Sequence, residues 1–76
     1  MAPALPTVTA KKCLKALKKA GFIIDNQTGS HARLFHQHNT ELRVTIPIHN
    51  RDLPRGTLKS ILRQAKLSVQ EFMDFL

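Results

Sequence analysis

Four histidines, at positions 31, 36, 38 and 49, stand in a chain of 76 residues. Histidine is the side chain whose ordinary pKa lies near neutrality, so it can both take and give a proton. His31 follows Gly29-Ser30 and precedes Arg33 by two residues. On a strand, positions i and i+2 share a face. That spacing puts a proton-transfer group beside a fixed cation, a pairing that suits phosphodiester chemistry: the imidazole moves a proton while the guanidinium offsets charge developing on the phosphate. A histidine at the start of a surface strand is also an ordinary solvated feature. His36 and His38 could hold a metal with His49 as a third ligand. Strand alternation places His49 on the face opposite His36, however, and on the face of His31. The acids Asp25, Glu41, Asp52, Glu71 and Asp74 are scattered, with no carboxylate cluster of the kind Mg²⁺ takes. The expectation is no metal and no other cofactor.

Charge gives the next constraint. Twelve Lys and Arg against five Asp and Glu leave a formal net charge of +7. Such an excess on a small domain attracts polyanions, because binding releases condensed counterions. Lys11 and Lys12 on the first helix, Lys59 on the second, Arg33 and His49 are the candidates for contact with nucleic acid, and a solvated helix face is the competing account of the lysines. Cys13 is the lone cysteine, so no disulfide forms within the chain. No apolar run approaches the roughly 20 residues of a membrane-spanning helix. No basic stretch leads into an apolar run at the start of the chain. Together these point to the cytoplasm and to no membrane partner.

The elements that must position these residues follow from periodicity. Residues 1–8, with two prolines, read as a flexible tail, and residues 9–76 as one domain. Thr9 is the expected cap of a helix carrying Cys13, Leu14, Leu17 and Ala20 on one stripe, stopped by Gly21. Residues 22–24 form a short β-prone run ended by Asp25-Asn26, and residues 27–30 a turn. Residues 31–38 alternate, with Ala32, Leu34 and His36 on one face and His31, Arg33 and Phe35 on the other. Asn39-Thr40 is the expected next turn. Leu42, Val44, Ile46 and Ile48 then mark a one-sided strand. A polar loop reaches Gly56, Thr57 caps a second helix, and Ser68 with Glu71 forms a capping box opening a short last helix. The result is an α+β domain of order α-β-β-β-α plus a terminal helix. Both main helices cover one face of a three-stranded antiparallel sheet, and the other face stays open. Among the aromatics only Phe35 shares a face with His31.

These residues also resemble a known family. Leu17-Lys18-Lys19-Ala20-Gly21-Phe22, Gly29-Ser30-His31, Val44-Thr45-Ile46-Pro47-Ile48-His49 and the stretch from Leu53-Pro54-Arg55-Gly56-Thr57-Leu58 to Ala65 are similar to the HicA (YcfA-like) toxins of bacterial toxin–antitoxin pairs. The resemblance spans residues 9–72. It implies a double-stranded-RNA-binding-domain-like fold and an endoribonuclease that cuts mRNA. It matches His31 to the catalytic histidine, with Gly29 and Ser30 as the turn before it, and it implies an acidic HicB-type antitoxin as partner. Lys66 departs from the pattern, standing where a glycine is common after the second helix. Two other classes stay open: an RNA-binding module without catalysis, and a basic protein whose partner is another protein.

Overall fold

A computed structural model describes residues 4–76 of the chain. The elements are α1 (Ala10–Lys19), β1 (Phe22–Thr28), β2 (His31–His36), β3 (Asn39–Pro47), α2 (Arg55–Ala65) and α3 (Val69–Asp74). The strands form one antiparallel meander in the order β1-β2-β3. Both main helices bury their apolar stripes on the same side. Cys13, Ala16 and Leu17 of α1, with Leu58, Ile61 and Leu62 of α2, meet Ala32, Leu34, Val44 and Ile46 of the sheet in one core. Phe72 of α3 is fully buried in that core. The expected order and layering are therefore present. Among the described residues no helix is long and apolar enough to cross a membrane.

Local chemistry sets the boundaries, and several differ from expectation. The expected tail overlaps the folded unit: Leu5 and Val8 are buried, and the Val8 carbonyl accepts from Leu53 N–H at 2.8 Å. Of that tail, residues 1–3 lie outside the described residues. Asp25-Asn26 does not end β1. The strand register shifts between Ile24 and Asn26, so Asp25 is the extra residue of a β-bulge and pairing resumes with Asn26 opposite Arg33. The second turn falls at residues 37–38, not at Asn39-Thr40. There His36 Nδ1 accepts from His38 N–H at 3.1 Å, and Gln37 N–H bonds to the Gly21 carbonyl. The third strand ends at Pro47, two residues earlier than the alternation suggests. Thr57 is not a cap: α2 starts at Arg55 behind Pro54, with no side-chain capping bond.

The other helix ends follow their residues. Thr9 Oγ1 accepts from Lys12 N–H, and Ser68 and Glu71 form the full capping box. The bond from Ser68 N–H holds the Glu71 carboxyl below its ordinary pKa. Gly21 has φ 104°, and a Cβ there would stand 2.8 Å from His36 Nε2. Only glycine lets the imidazole lie against that backbone. At the end of α2, Lys66 takes φ 56°. Its N–H bonds to Arg63 O, and Leu67 N–H to Leu62 O, which is the Schellman arrangement. A left-handed conformation costs a side-chain-bearing residue about 1–2 kcal/mol.

Lys66→Gly is accordingly expected to stabilise the fold by about 1 kcal/mol, offset in part by glycine's chain entropy. In a domain of this size the thermal midpoint should rise by roughly 4–8 °C per kcal/mol. An unchanged or lowered midpoint in a calorimetric scan would contradict the strain at Lys66. Burial also pushes the Cys13 thiol up to about 12. The folded state then keeps a proton that the unfolded state loses at lower pH. Stability from this group is present below the ordinary thiol pKa and is lost as pH rises towards 12. A chromogenic disulfide reagent at pH 8 is expected to label Cys13 only after urea unfolds the chain, and rapid labelling without urea would refute the burial.

Candidate functional site on the open sheet face

The hairpin between β1 and β2 sets the position of His31. Thr28 pairs with His31, leaving Gly29-Ser30 as a two-residue loop. Gly29 takes φ 57° at the first central position, the pattern of a type II′ turn. His31 is thus the first residue of β2, and it is exposed. Its Nδ1 lies 3.5 Å from Ser30 Oγ, a long contact. Among the described residues nothing hydrogen-bonds its Nε2, which leaves that nitrogen accessible to a proton donor or acceptor from outside.

Cross-strand pairing lays out the face that His31 shares. Thr28, His31 and Pro47 form one row, Asn26, Arg33 and Thr45 the next, and Ile23, Phe35 and Arg43 the third. Ala32, Leu34, Val44 and Ile46 point the other way, into the core. Arg33 is exposed on the same face as His31, one row along, as the i, i+2 spacing requires. Asp25, Asn26, Arg33, Arg43 and Thr45 line a shallow depression there. Arg43 Nη1 and Asp25 Oδ2 stand 3.7 Å apart, and because both are exposed this ion pair contributes little to stability.

The remaining candidates fall into two groups. Thr9 bridges to Asp52, and Ile48 N–H bonds to Ser30 O. The starts of α1 and α2 therefore lie at the same end of the sheet as the β1–β2 turn. Lys11 and Lys12 in the first turn of α1, and Lys59 in α2, are exposed on the helical layer at that end. The positive ends of both helix dipoles lie there as well. His49 is exposed two residues past Pro47, the cross-strand partner of His31. Its Nδ1 accepts from Arg51 N–H at 3.2 Å. Among the described residues no hydrogen bond joins His49 to His31.

His36 and His38 do not make a ligand pair. His36 accepts at Nδ1 from His38 N–H, and its Nε2 meets the Ala20 carbonyl at 3.1 Å. The first bond needs a bare Nδ1 and the second a proton on Nε2, so the hydrogen bonds select the Nε2–H tautomer and occupy both nitrogens. The ring packs edge-on against Phe22 at 5.1 Å. His36 is therefore a structural histidine. Among the described residues no three His, Cys, Asp or Glu side chains come together as metal ligands. Ending the first strand at Asp25-Asn26 misses those two residues as members of the open face, whereas Arg43 follows from the alternation of β3. The sequence signal for the missed pair is weak, because a bulge leaves no fixed residue signature.

An α-β-β-β-α order with both helices on one face of an antiparallel meander defines a double-stranded-RNA-binding-domain-like α+β protein, here strongly basic. Residues 10–67 match the family model described as the HicA toxin of bacterial toxin–antitoxin systems, and the chain belongs to that family. The match takes in Gly29-Ser30-His31 and ends before α3. No curated protein matches the chain. Membership makes this a toxin of a toxin–antitoxin pair, and such a pair implies an antitoxin partner.

The two histidines of β2 should separate in a denaturation experiment. His31→Ala removes an exposed ring and is expected to change stability by less than about 0.5 kcal/mol. His36→Ala strands the His38 N–H and the Ala20 carbonyl and is expected to cost about 1–3 kcal/mol. Equal urea midpoints for the two variants would refute these assignments.

Proposed function

We propose that this chain is an endoribonuclease that cleaves mRNA, with His31 as its acid–base residue, and that an acidic HicB-type antitoxin silences it. The observation that carries this reading is the exposed His31 at the Gly29-Ser30 turn, with Nε2 unengaged and Arg33 on the same face. In the reaction His31 assists attack of the RNA's 2′-oxygen on the adjacent phosphorus or protonates the departing 5′-oxygen. The products are a 2′,3′-cyclic phosphate and a 5′-hydroxyl. Positioned proton transfer of this kind typically contributes about 10²- to 10⁴-fold. Arg33 stabilises charge on the phosphate. Lys11, Lys12 and Lys59 attract the backbone electrostatically, and His49, at the same end of the fold, offers a hydrogen-bonding side chain to the RNA.

The proposed mechanism uses no metal, and three of the five acids are held in separate local roles. Asp25 faces Arg43, Glu71 closes the capping box, and Asp74 accepts from Gln70 Nε2. One observation favours a second reading, an RNA-binding module without catalysis: among the described residues, no second acid–base side chain beyond the long Ser30 contact reaches His31. A single assay separates the two. Unmodified RNA is expected to be cut in excess EDTA, while RNA with a 2′-deoxy sugar at the cut site stays intact, as does any RNA treated with the His31→Ala variant. That variant should still bind RNA, with a log–log salt slope near −0.7 per phosphate neutralised. Activity lost in EDTA and restored by Mg²⁺ would overturn the mechanism. RNA binding with no cleavage under any condition would favour the module.

A further inference from the structure

Two apolar side chains on the open sheet face lie outside the core. Ile23 is 44% exposed, and Phe35 opposite it on the central strand is half-buried. Neither belongs to the core or packs against it, although eight other partly buried hydrophobics do. Arg43 completes their row across the sheet, and Arg33 stands in the next row, between Phe35 and His31 along β2. We propose that Ile23 and Phe35 form a stacking platform for a base of single-stranded RNA, with Arg33 and Arg43 on the flanking phosphates. The platform would be a subsite that holds the strand one to two nucleotides from the bond at His31.

The geometry supports a base in preference to a protein surface. A strand rises about 3.3–3.4 Å per residue, so neighbouring same-face rows lie about 7 Å apart and Phe35 is about 13 Å from His31 along β2. An extended polynucleotide can therefore place one base on Phe35 while a phosphate passes Arg33 and the next lies at His31. A stable protein interface needs about 800 Å² on each partner, whereas the apolar patch is only two side chains wide. An aromatic face edged by cations is what single-strand binders offer, since every base has a π-face and every phosphate a charge. A duplex hides its bases in the stack and cannot use such a platform. This proposal rests on reading the chain as acting on RNA, and it commits that substrate to being single-stranded where it crosses the sheet.

The test uses a short single-stranded RNA carrying 2-aminopurine, bound by His31→Ala protein so that the probe survives. The chain has no Trp and no Tyr, so the fluorescence reports the RNA alone. Adding Phe35→Leu is expected to weaken binding by about 10-fold or more and to remove the stacking quench, the usual loss when one base–aromatic contact goes. Phe35→Trp, which adds a fluorophore of its own, should keep the affinity. Ile23→Ser, at an exposed position, gives a second reading should Phe35→Leu fold poorly, and should weaken binding in the same direction. Duplex RNA of the same sequence should bind all variants alike. Undiminished single-strand affinity in Phe35→Leu and Ile23→Ser would overturn the platform. If the parent protein still cuts RNA in that case, the ribonuclease reading survives alone. A Phe35-dependent quench with no cleavage by the unmodified chain would support the platform and sink the ribonuclease. Loss of an acidic protein partner, with RNA binding intact in Phe35→Leu, would also overturn the platform.

Discussion

Helices α1 and α2 reach only one face of the three-stranded sheet, and this constraint governs most of what the molecule can do. Each strand places alternate residues on opposite faces, so Ala32, Leu34, Val44 and Ile46 enter the core together. His31, Arg33, Thr45 and Arg43 are turned outward by the same register. A domain of this size buries only about 60% of the surface its unfolded chain exposes. It has no third layer to spare for the outward face. The reactive and charged side chains stay accessible because there is nothing to cover them.

The one-sided sheet also explains how the functional end is assembled. The chain leaves β3 beside the β1–β2 turn and pairs near Asp52 and Leu53 with residues just before α1. Both long helices then run away from that end, so their starting turns collect there without any dedicated loop. Lys11, Lys12 and Lys59 join the end that holds His31 through connectivity. The other end of the sheet is closed by His36, which ties the second turn to the end of α1 through Ala20 and Gly21. Two histidines at the two ends of one strand thus have opposite fates, one locked by its neighbours and one exposed.

Much of this was legible in the residues. The stripe of α1, the alternation of residues 42–48 and the Ser68–Glu71 box carry strong local signals, and each element formed where those signals stand. The face of His31 and Arg33 followed from alternation alone. What was missed depends on long-range contact. Asp25-Asn26 has the composition of a turn, yet pairing with β2 holds it in a strand through a bulge. Asn39-Thr40 also looks like a turn, but the bonds of His36 and Gln37 move the reversal two residues earlier. Ile48 and His49 continue the alternation after pairing with the partner strand has ended at Pro47. Leu5 is the one large apolar residue between two prolines, and only the assembled core shows that it is needed.

The bulge at Asp25 has a further effect, on how the chain behaves in company. In the order β1-β2-β3, strand β1 is an edge, and its outer backbone groups are available to any extended segment that drifts alongside. A straight edge is a template for unwanted pairing between copies, and natural sheets interrupt such edges with bulges and charges. Here both devices fall on one residue: the register breaks at Asp25, and its carboxylate stands on the strand that would be paired. The opposite edge is guarded differently, by Gln64 of α2 accepting the Thr45 N–H. A neighbouring strand would find β1 regular only over short stretches on either side of the break. The irregularity that disguised β1 in the sequence thereby shields an exposed, partly apolar sheet from stacking edge to edge with its own kind.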